Sequence, residues 1–295
     1  MKQSTSTDLA RTLLRTLLGR KPQSKALTQT VEQITHDFLI ANHTYDALNI
    51  EVDVPPAILK QMFKRIKSEW SALGETEPYW SVITSDEFRS KNIKQHLGSF
   101  LESGKTNVEW MQNIARRNGV TLGDKQTCLE LGCGVGRVTL PLSEVFDHVT
   151  GFDVSPGNLA ECDALIKAKG ANNITTHLMT EIEAIHSAPG FDVLFSVIVL
   201  QHNPPPVQKY LLEVLLAKIK PGGAAYFQLP TYLPGYAFNA TEYLASSERE
   251  MEMHAVPMKQ VLKLLHENSF EVLEVIQDQF TGLPGSHSFF ATKCS

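Results

Sequence analysis

The stretch Leu129-Glu-Leu-Gly-Cys-Gly-Val-Gly-Arg137 constrains this chain more than any other. It continues a β-prone run, Thr127–Leu131, and opens a helical pattern. Three glycines at alternating positions, Gly132, Gly134 and Gly136, let a backbone turn tightly and approach a ligand closely. A dinucleotide fingerprint of the GxGxxG kind needs glycine at 137, where this chain has Arg137. From residue 123 onward, β-rich runs alternate with helical patterns. The runs are 127–131, 148–154, 174–178, 191–200, 224–228, 270–277 and 286–292; helical spacing fills 137–145, 156–169, 207–219 and 257–268. That alternation predicts βαβ units and a doubly wound, mostly parallel α/β sheet. The last two runs are joined only by Thr281-Gly-Leu-Pro-Gly285, which makes them an antiparallel pair at the sheet's end.

The second run ends Gly151-Phe-Asp-Val-Ser155 and places Asp153 at a strand's carboxyl end, where a carboxylate can take both hydroxyls of a ribose. A nucleoside-bearing cofactor at the switch point of the sheet is the expected ligand. Ahead of this domain (121–295), residues 1–120 read as a helical cap. Helical spacing runs through 26–70, broken by Val52-Asp-Val-Pro-Pro56, and again through 100–114. Leu9, Leu13, Leu14, Leu17 and Leu18 recur at helical spacing among Arg11, Arg15, Arg20 and Lys21. Such a basic helix lies on an anionic membrane, docks on a partner or a second copy of the chain, or packs on the protein's own body.

Composition narrows the function classes. Of 295 residues 42% are apolar, enough for a sizeable core, and no apolar run reaches the ~20 residues of a membrane span. Arg11 and Arg15 interrupt any secretory h-region, and four cysteines in no metal-type spacing point to a reducing, cytoplasmic setting. Residues 1–120 hold 16 Lys+Arg against 13 Asp+Glu, and residues 121–295 hold 11 against 19. The acidic larger part speaks against nucleic acid as a partner.

Taken together, Glu130-x-Gly-x-Gly-x-Gly136, Asp153, Phe191-Asp-Val-Leu-Phe-Ser196 and Leu216-x-x-Ile-Lys-Pro-Gly-Gly223 resemble the class I S-adenosylmethionine-dependent methyltransferase family. The resemblance covers roughly residues 121–295. It implies a Rossmann-like sheet of seven strands, the last antiparallel, with S-adenosylmethionine as cofactor. Glu130, Gly132, Cys133, Gly134, Gly136 and Arg137 would face the methionine part, and Asp153 would hold the ribose. Val154, Met179 and Thr180 would lie beside the adenine, and Val197 would line the same site. The family often carries an acidic residue where this chain has Thr180; Glu181 follows it. Cys133 reads as a small residue fitting the turn, and Arg137 as a cap of the loop within reach of a carboxylate ligand.

The resemblance also places Leu200-Gln-His-Asn-Pro-Pro-Pro206 next to the transferred methyl group. His202 is the base candidate there, with an ordinary titration range near neutrality, or else a structural histidine of the turn. Asn203-Pro-Pro-Pro206 lacks the aromatic of base-methylating enzymes, so the prolines read as a helix start. Glu252 and His254, if their run is extended, share a side and would orient an acceptor hydroxyl; two ligands are too few for a metal. Tyr79 and Trp80 would wall the site, whereas Trp70 reads as packing. The expectation is O-methylation of a small-molecule or saccharide acceptor. N-methylation of a small metabolite stays open, as does a non-catalytic, cofactor-binding scaffold that docks through its basic helix.

Overall fold

The computed structural model describes residues 50–122, 126–247, 251–282 and 285–294. The leucine-bearing basic segment therefore lies outside the described residues. Within the unit Ile50–Ser295, seven strands form one sheet: β1 (Thr127–Leu131), β2 (His148–Asp153), β3 (Ile174–Leu178), β4 (Phe191–Ser196), β5 (Ile219–Pro230), β6 (Phe270–Gln277) and β7 (Ser286–Lys293). Their order is β3-β2-β1-β4-β5-β7-β6. Strands β1 to β5 pair in parallel, and β7 runs antiparallel to both β5 and β6. The seven-stranded, doubly wound sheet with its last strand reversed is the one expected. A connection as short as that between β6 and β7 permits only antiparallel neighbours.

Period-two alternation along the strands serves two cores, one on each face. Leu129, Leu131, Leu194, Ala225 and Phe227 pack with α1 (Pro56–Thr76) and with the helix α6 (Pro205–Lys218). Cys128, Val193, Phe195, Ala224 and Tyr226 pack against Val108, Met111 and Ile114 of α3 (Ile93–Arg117). Between them in the chain lies the short α2 (Pro78–Val82). The first crossover helix in the sheet is α4 (Thr139–Ser143); the next, α5 (Pro156–Lys169), starts on Ser155, whose hydroxyl accepts from the Asn158 N–H at 3.2 Å, and ends on Gly170. Beyond β5 come α7 (Ala240–Ala245) and α8 (Met258–Glu267).

Two of the helices before β1 press directly on the glycine-loop side of the sheet. A Cβ on Gly157, at the start of α5, would lie 2.4 Å from the Gly74 carbonyl oxygen of α1. One on Gly104 of α3 would lie 1.9 Å from the Arg137 carbonyl oxygen. Glycine at these points is what lets α1 and α3 close over the strand ends. Strand β4 stops at Ser196, short of the expected residue 200, because Ile198 takes φ 62° and the chain turns through a 3₁₀ segment, Leu200–His202. Strand β5 is longer than expected, since its pairing with β7 runs on to Pro230↔Ser286. No helix among the described residues is long and apolar enough to cross a membrane.

Candidate functional site

The site grows from the carboxyl ends of β1 and β2, at the point where the strand order reverses between β1 and β4. Gly132 and Cys133 donate their N–H groups to the Phe152 carbonyl at 2.7 and 3.2 Å, tying the loop after β1 to the end of β2. Gly132 takes φ 76°, and a Cβ there would sit 2.3 Å from Val199 Cγ2. Gly134 takes φ 53°, and its N–H donates to Asp153 Oδ2 at 2.8 Å. Asp153 Oδ1 accepts from the Ser155 N–H, also at 2.8 Å. Each carboxylate oxygen thus keeps one lone-pair direction for a ligand hydroxyl. Burial raises the Asp153 carboxyl above its ordinary range, against the opposing pull of these backbone N–H groups.

Glu130 and Arg137 make up the charged part of the wall. Glu130 is buried, and its Oε2 accepts from Thr139 Oγ1 at 2.6 Å. Burial pushes its carboxyl up to about 8, with Thr139 and Arg137 pulling down and Asp153 adding to the rise. Burial also lowers the Arg137 guanidinium to about 10. Arg137 Nη1 donates to Asn107 Oδ1 at 2.7 Å and to Ser103 Oγ at 3.3 Å, both on α3, while its buried Nε–H has no hydrogen-bond partner. A buried, unpartnered donor beside a buried, protonated carboxyl is costly unless a ligand completes both.

These groups line a cleft enclosing about 850 Å³, part of it open to solvent. Its walls include Glu130, Gly132, Cys133, Gly134, Arg137, Asp153, Val154, Met179, Val197 and His202, so the structure brings most of the expected residues together. Gly136 stands behind the loop, where a Cβ would meet Cys162 Sγ at 2.9 Å, and Thr180 is exposed and outside the lining. Tyr79 and Trp80 are also outside it. The Tyr79 hydroxyl donates to Glu161 Oε2 at 3.0 Å, and Trp80 lies under the Arg89 guanidinium at 4.4 Å. On the single turn of α2 it is Ser81 and Val82 that face the cleft. Trp70 of α1 packs against the core as expected and also walls the cleft, its ring 5.0 Å from that of His202.

His202 departs from the near-neutral titration expected of it: burial lowers its imidazole to about 4. Its Nδ1 lies 3.2 Å from the Glu252 carbonyl oxygen, and its Nε2 lies 3.1 Å from the Gln201 side-chain nitrogen. Trp70 and His202 are shared with a second cavity of about 910 Å³, also partly open, lined in addition by Glu69, Tyr243, Met251 and Glu252. Glu252 Oε1 meets Arg65 Nη2 at 2.9 Å, and Arg65 Nε donates to Glu69 Oε1 at 3.0 Å. Burial raises the Glu252 carboxyl, but His254 and Arg65 outweigh it and hold the group below its ordinary range. His254 lies outside both cavities. It is buried among the Tyr236, Phe238 and Tyr243 rings, with Nδ1 paired to the Tyr236 hydroxyl at 2.9 Å and Nε2 3.5 Å from Glu252 Oε2. Among the described residues no cluster of His, Cys, Asp and Glu is placed for a metal ion.

Residues 128–223, from within β1 to within β5, match the family described as a methyltransferase domain. Over that stretch the chain is similar to a methyltransferase domain. Its fold is shared with the magnesium protoporphyrin IX methyltransferase of Synechocystis PCC 6803 with bound SAH, at TM-score 0.53 and 15% identity, over 77% of this chain and 99% of that one. In sequence it is 27% identical over 143 residues to the ubiquinone biosynthesis O-methyltransferase of Paraburkholderia xenovorans, covering 47% of this chain and 57% of that protein. A shorter stretch of 99 residues, 33% of this chain, is 31% identical to the tRNA U34 carboxymethyltransferase of Shewanella piezotolerans, of which it spans 29%. The chain thus spans little more than half the length of the first relative and less of the second. Within the cleft, walls not singled out from sequence include Phe63, Ile66, Ser81, Val82, Asn158 and Val199. Their residue types are those of ordinary helix faces and strand ends, so only their packing marks them.

Proposed function

We propose that this protein transfers the methyl group of S-adenosylmethionine to a hydroxyl of a small molecule. The observation that carries the reading is the single wall formed by Glu130, the glycine loop, Arg137 and Asp153. Asp153 offers its two free lone-pair directions to a ribose diol. The buried Glu130 carboxyl suits the methionine ammonium, and the unpartnered Arg137 Nε–H suits the methionine carboxylate. The cofactor supplies an activated methyl group on a sulfonium, so the protein's own task is to align the acceptor and exclude water. Val154 and Met179 provide the apolar surface for the adenine, and Val197 lines the cleft beside the β4 turn.

The second cavity is the acceptor chamber in this reading, entered between the cap formed by residues 50–120 and the segment after β5. His202 faces both chambers and stays neutral at physiological pH, because its imidazole titrates at about 4. As the candidate base it is matched to a hydroxyl of some acidity, and a hydroxyl reaching Nε2 must displace the Gln201 amide. Among the described residues the chamber's lining includes Glu69 and Glu252 and no lysine or arginine. That lining favours neutral or cationic acceptors over anionic ones. Oxygen as the acceptor atom is supported by the relative named as an O-methyltransferase. The excess of acidic residues in 121–295 favours a small molecule over a nucleic acid, and the cysteine usage favours a cytoplasmic setting.

Calorimetric titration with S-adenosylmethionine and with S-adenosylhomocysteine, on wild type and Asp153→Ala, tests the reading. Micromolar binding that weakens about tenfold or more in the variant, roughly 1.4 kcal/mol, is expected for the loss of a charged hydrogen-bond pair. No binding of either ligand to wild type would end the methyltransferase reading.

A further inference from the structure

Ile198 is a β-branched residue at φ 62°, in the left-handed region such side chains avoid. Strain of this kind persists only where surrounding structure holds it. The hold here is a side chain on another strand: the Ile198 N–H donates to Gln228 Oε1 at 2.9 Å. Gln228 is fully buried on β5. Its amide nitrogen donates in turn to Gln201 Oε1 at 3.0 Å and to Ser286 Oγ at 2.7 Å. Ser286 Oγ donates to Asp278 Oδ1 at 2.5 Å.

The direction of every bond in this chain is forced from both ends. A backbone N–H can only donate, so Gln228 Oε1 must be the acceptor and Gln228 Nε2 the donor. Gln201 Oε1 then accepts, which leaves Gln201 Nε2 donating to His202 Nε2. His202 therefore carries its proton on Nδ1, given to the Glu252 carbonyl. At the other end the Asp278 carboxylate accepts, so the Ser286 hydroxyl has its oxygen free for Gln228. One buried amide thus anchors both the strained residue and the 3₁₀ turn that bears His202. The anchored turn matters to the cleft, because Ile198, Val199, His202 and Asn203 line it and Val199 lies over Gly132.

We propose that Gln228 is a positioning residue of the site, holding the Ile198 turn and, through Gln201, the His202 ring in the shape that completes the cofactor cleft. The proposal uses the methyltransferase reading only for the ligand chosen in one arm of its test. Three variants are compared with wild type: Gln228→Met, near in volume but without polar atoms; Gln228→Glu, which keeps an oxygen to accept from Ile198; and Ser286→Ala, which cuts the same chain beyond Gln228. The measurements are S-adenosylhomocysteine affinity by calorimetry, amide hydrogen exchange at Ile198, and the protonated nitrogen of His202 by ¹⁵N NMR.

Gln228→Met is expected to weaken S-adenosylhomocysteine about tenfold and to speed Ile198 exchange at least about tenfold. Gln228→Glu, which keeps the acceptor for Ile198 but not the donor to Gln201, restores slow Ile198 exchange to within about threefold of wild type while affinity recovers only in part, and Ser286→Ala lowers the melting temperature with affinity changed less than about twofold. Wild-type His202 shows its proton on Nδ1. Affinity and exchange unchanged in Gln228→Met overturn the proposal, as does an equal loss in Ser286→Ala, which would make Gln228 a packing residue. A wild-type proton on Nε2 overturns it too. If wild type binds no S-adenosylhomocysteine, the methyltransferase reading fails while Ile198 exchange still decides the role of Gln228. If Gln228→Met does not fold, Gln228→Glu against Ser286→Ala decides it: slow exchange must survive in the first, and tenfold faster exchange there refutes the hold.

Discussion

The two ends of the site are built in opposite ways. At the β1–β2 end, Glu130, the glycine loop, Arg137 and Asp153 belong to one βαβ unit, and Gly134 and Asp153, which bond directly, are separated by only 19 positions. At the β4–β5 end, Arg65 meets Glu252 across 187 positions, Gln228 meets Ser286 across 58, and Trp70 of α1 meets His202 beyond β4. The first end is positioned by backbone N–H groups and glycine conformation, which local chain geometry supplies. The second is positioned by side chains reaching between elements, and it exists only when the whole unit is packed. The first kind of construction is fixed by a short stretch of chain. The second kind leaves room for acceptor chambers to differ.

Perturbing one end and reading the other tests that contrast. The largest effect belongs to Gly132→Ala. The variant puts a Cβ at φ 76° and 2.3 Å from Val199 Cγ2, where strain of roughly 1–2 kcal/mol adds to a clash with the Val199 side chain. Cofactor affinity should fall about 100-fold or more by calorimetry; a loss below tenfold would show a loop softer than its geometry. Arg65→Met comes next. It strips the cation from Glu69 and Glu252, and because Glu252 is 25% exposed the stability loss should be about 2 kcal/mol in denaturant unfolding, below the range for fully buried pairs. Cofactor affinity should stay within about threefold. A tenfold drop would mean that the two ends are not independent.

The smallest effect is a fraction of a proton. With its carboxyl at about 8, Glu130 is mostly protonated at pH 7, and a cationic ligand beside it lowers that value. Binding at pH 7 should release about 0.9 proton, measured by calorimetry in buffers of different ionisation enthalpy, and Glu130→Gln should abolish the release. The sign for stability follows from the same shift. The carboxyl is raised from 4.5, so the favoured protonated form stabilises the ligand-free protein fully below pH 4.5. That contribution is lost as pH rises through about 8, and thermal melts of the ligand-free protein should fall across that window. Melting that rises there would place the Glu130 charge outside the cleft.

The sheet was legible because its code is periodic and local. The alternation of runs from residue 123 onward, the glycine loop and the short link before β7 each act over a few residues. Asp153 was legible for the same reason, sitting at a strand end beside a loop that demands glycine. His202 was found by its place after β4 but not its state, since a ring that titrates at about 4 is made by burial from other elements. That Trp70 walls the cleft as well as packing, while Tyr79 and Trp80 stay outside it, was not legible. An aromatic on a helix carries no mark of which face will meet the cleft until α1 and α2 are docked. Gln201, Gln228 and Ser286 carried no signal at all, because a polar residue in a strand reads as solvent-facing unless its partners are known.

By itself, the sequence determined the doubly wound sheet, the crevice at its switch point and the glycine-loop wall of that crevice, since all three follow from backbone conformation over short spans. Tertiary structure alone decided which side chains close that crevice and which charges they carry. Burial, desolvation and hydrogen-bond direction are set by neighbours distant in the chain, and those neighbours are defined only when the helices before β1 and the segment after β5 come to rest on the strand ends.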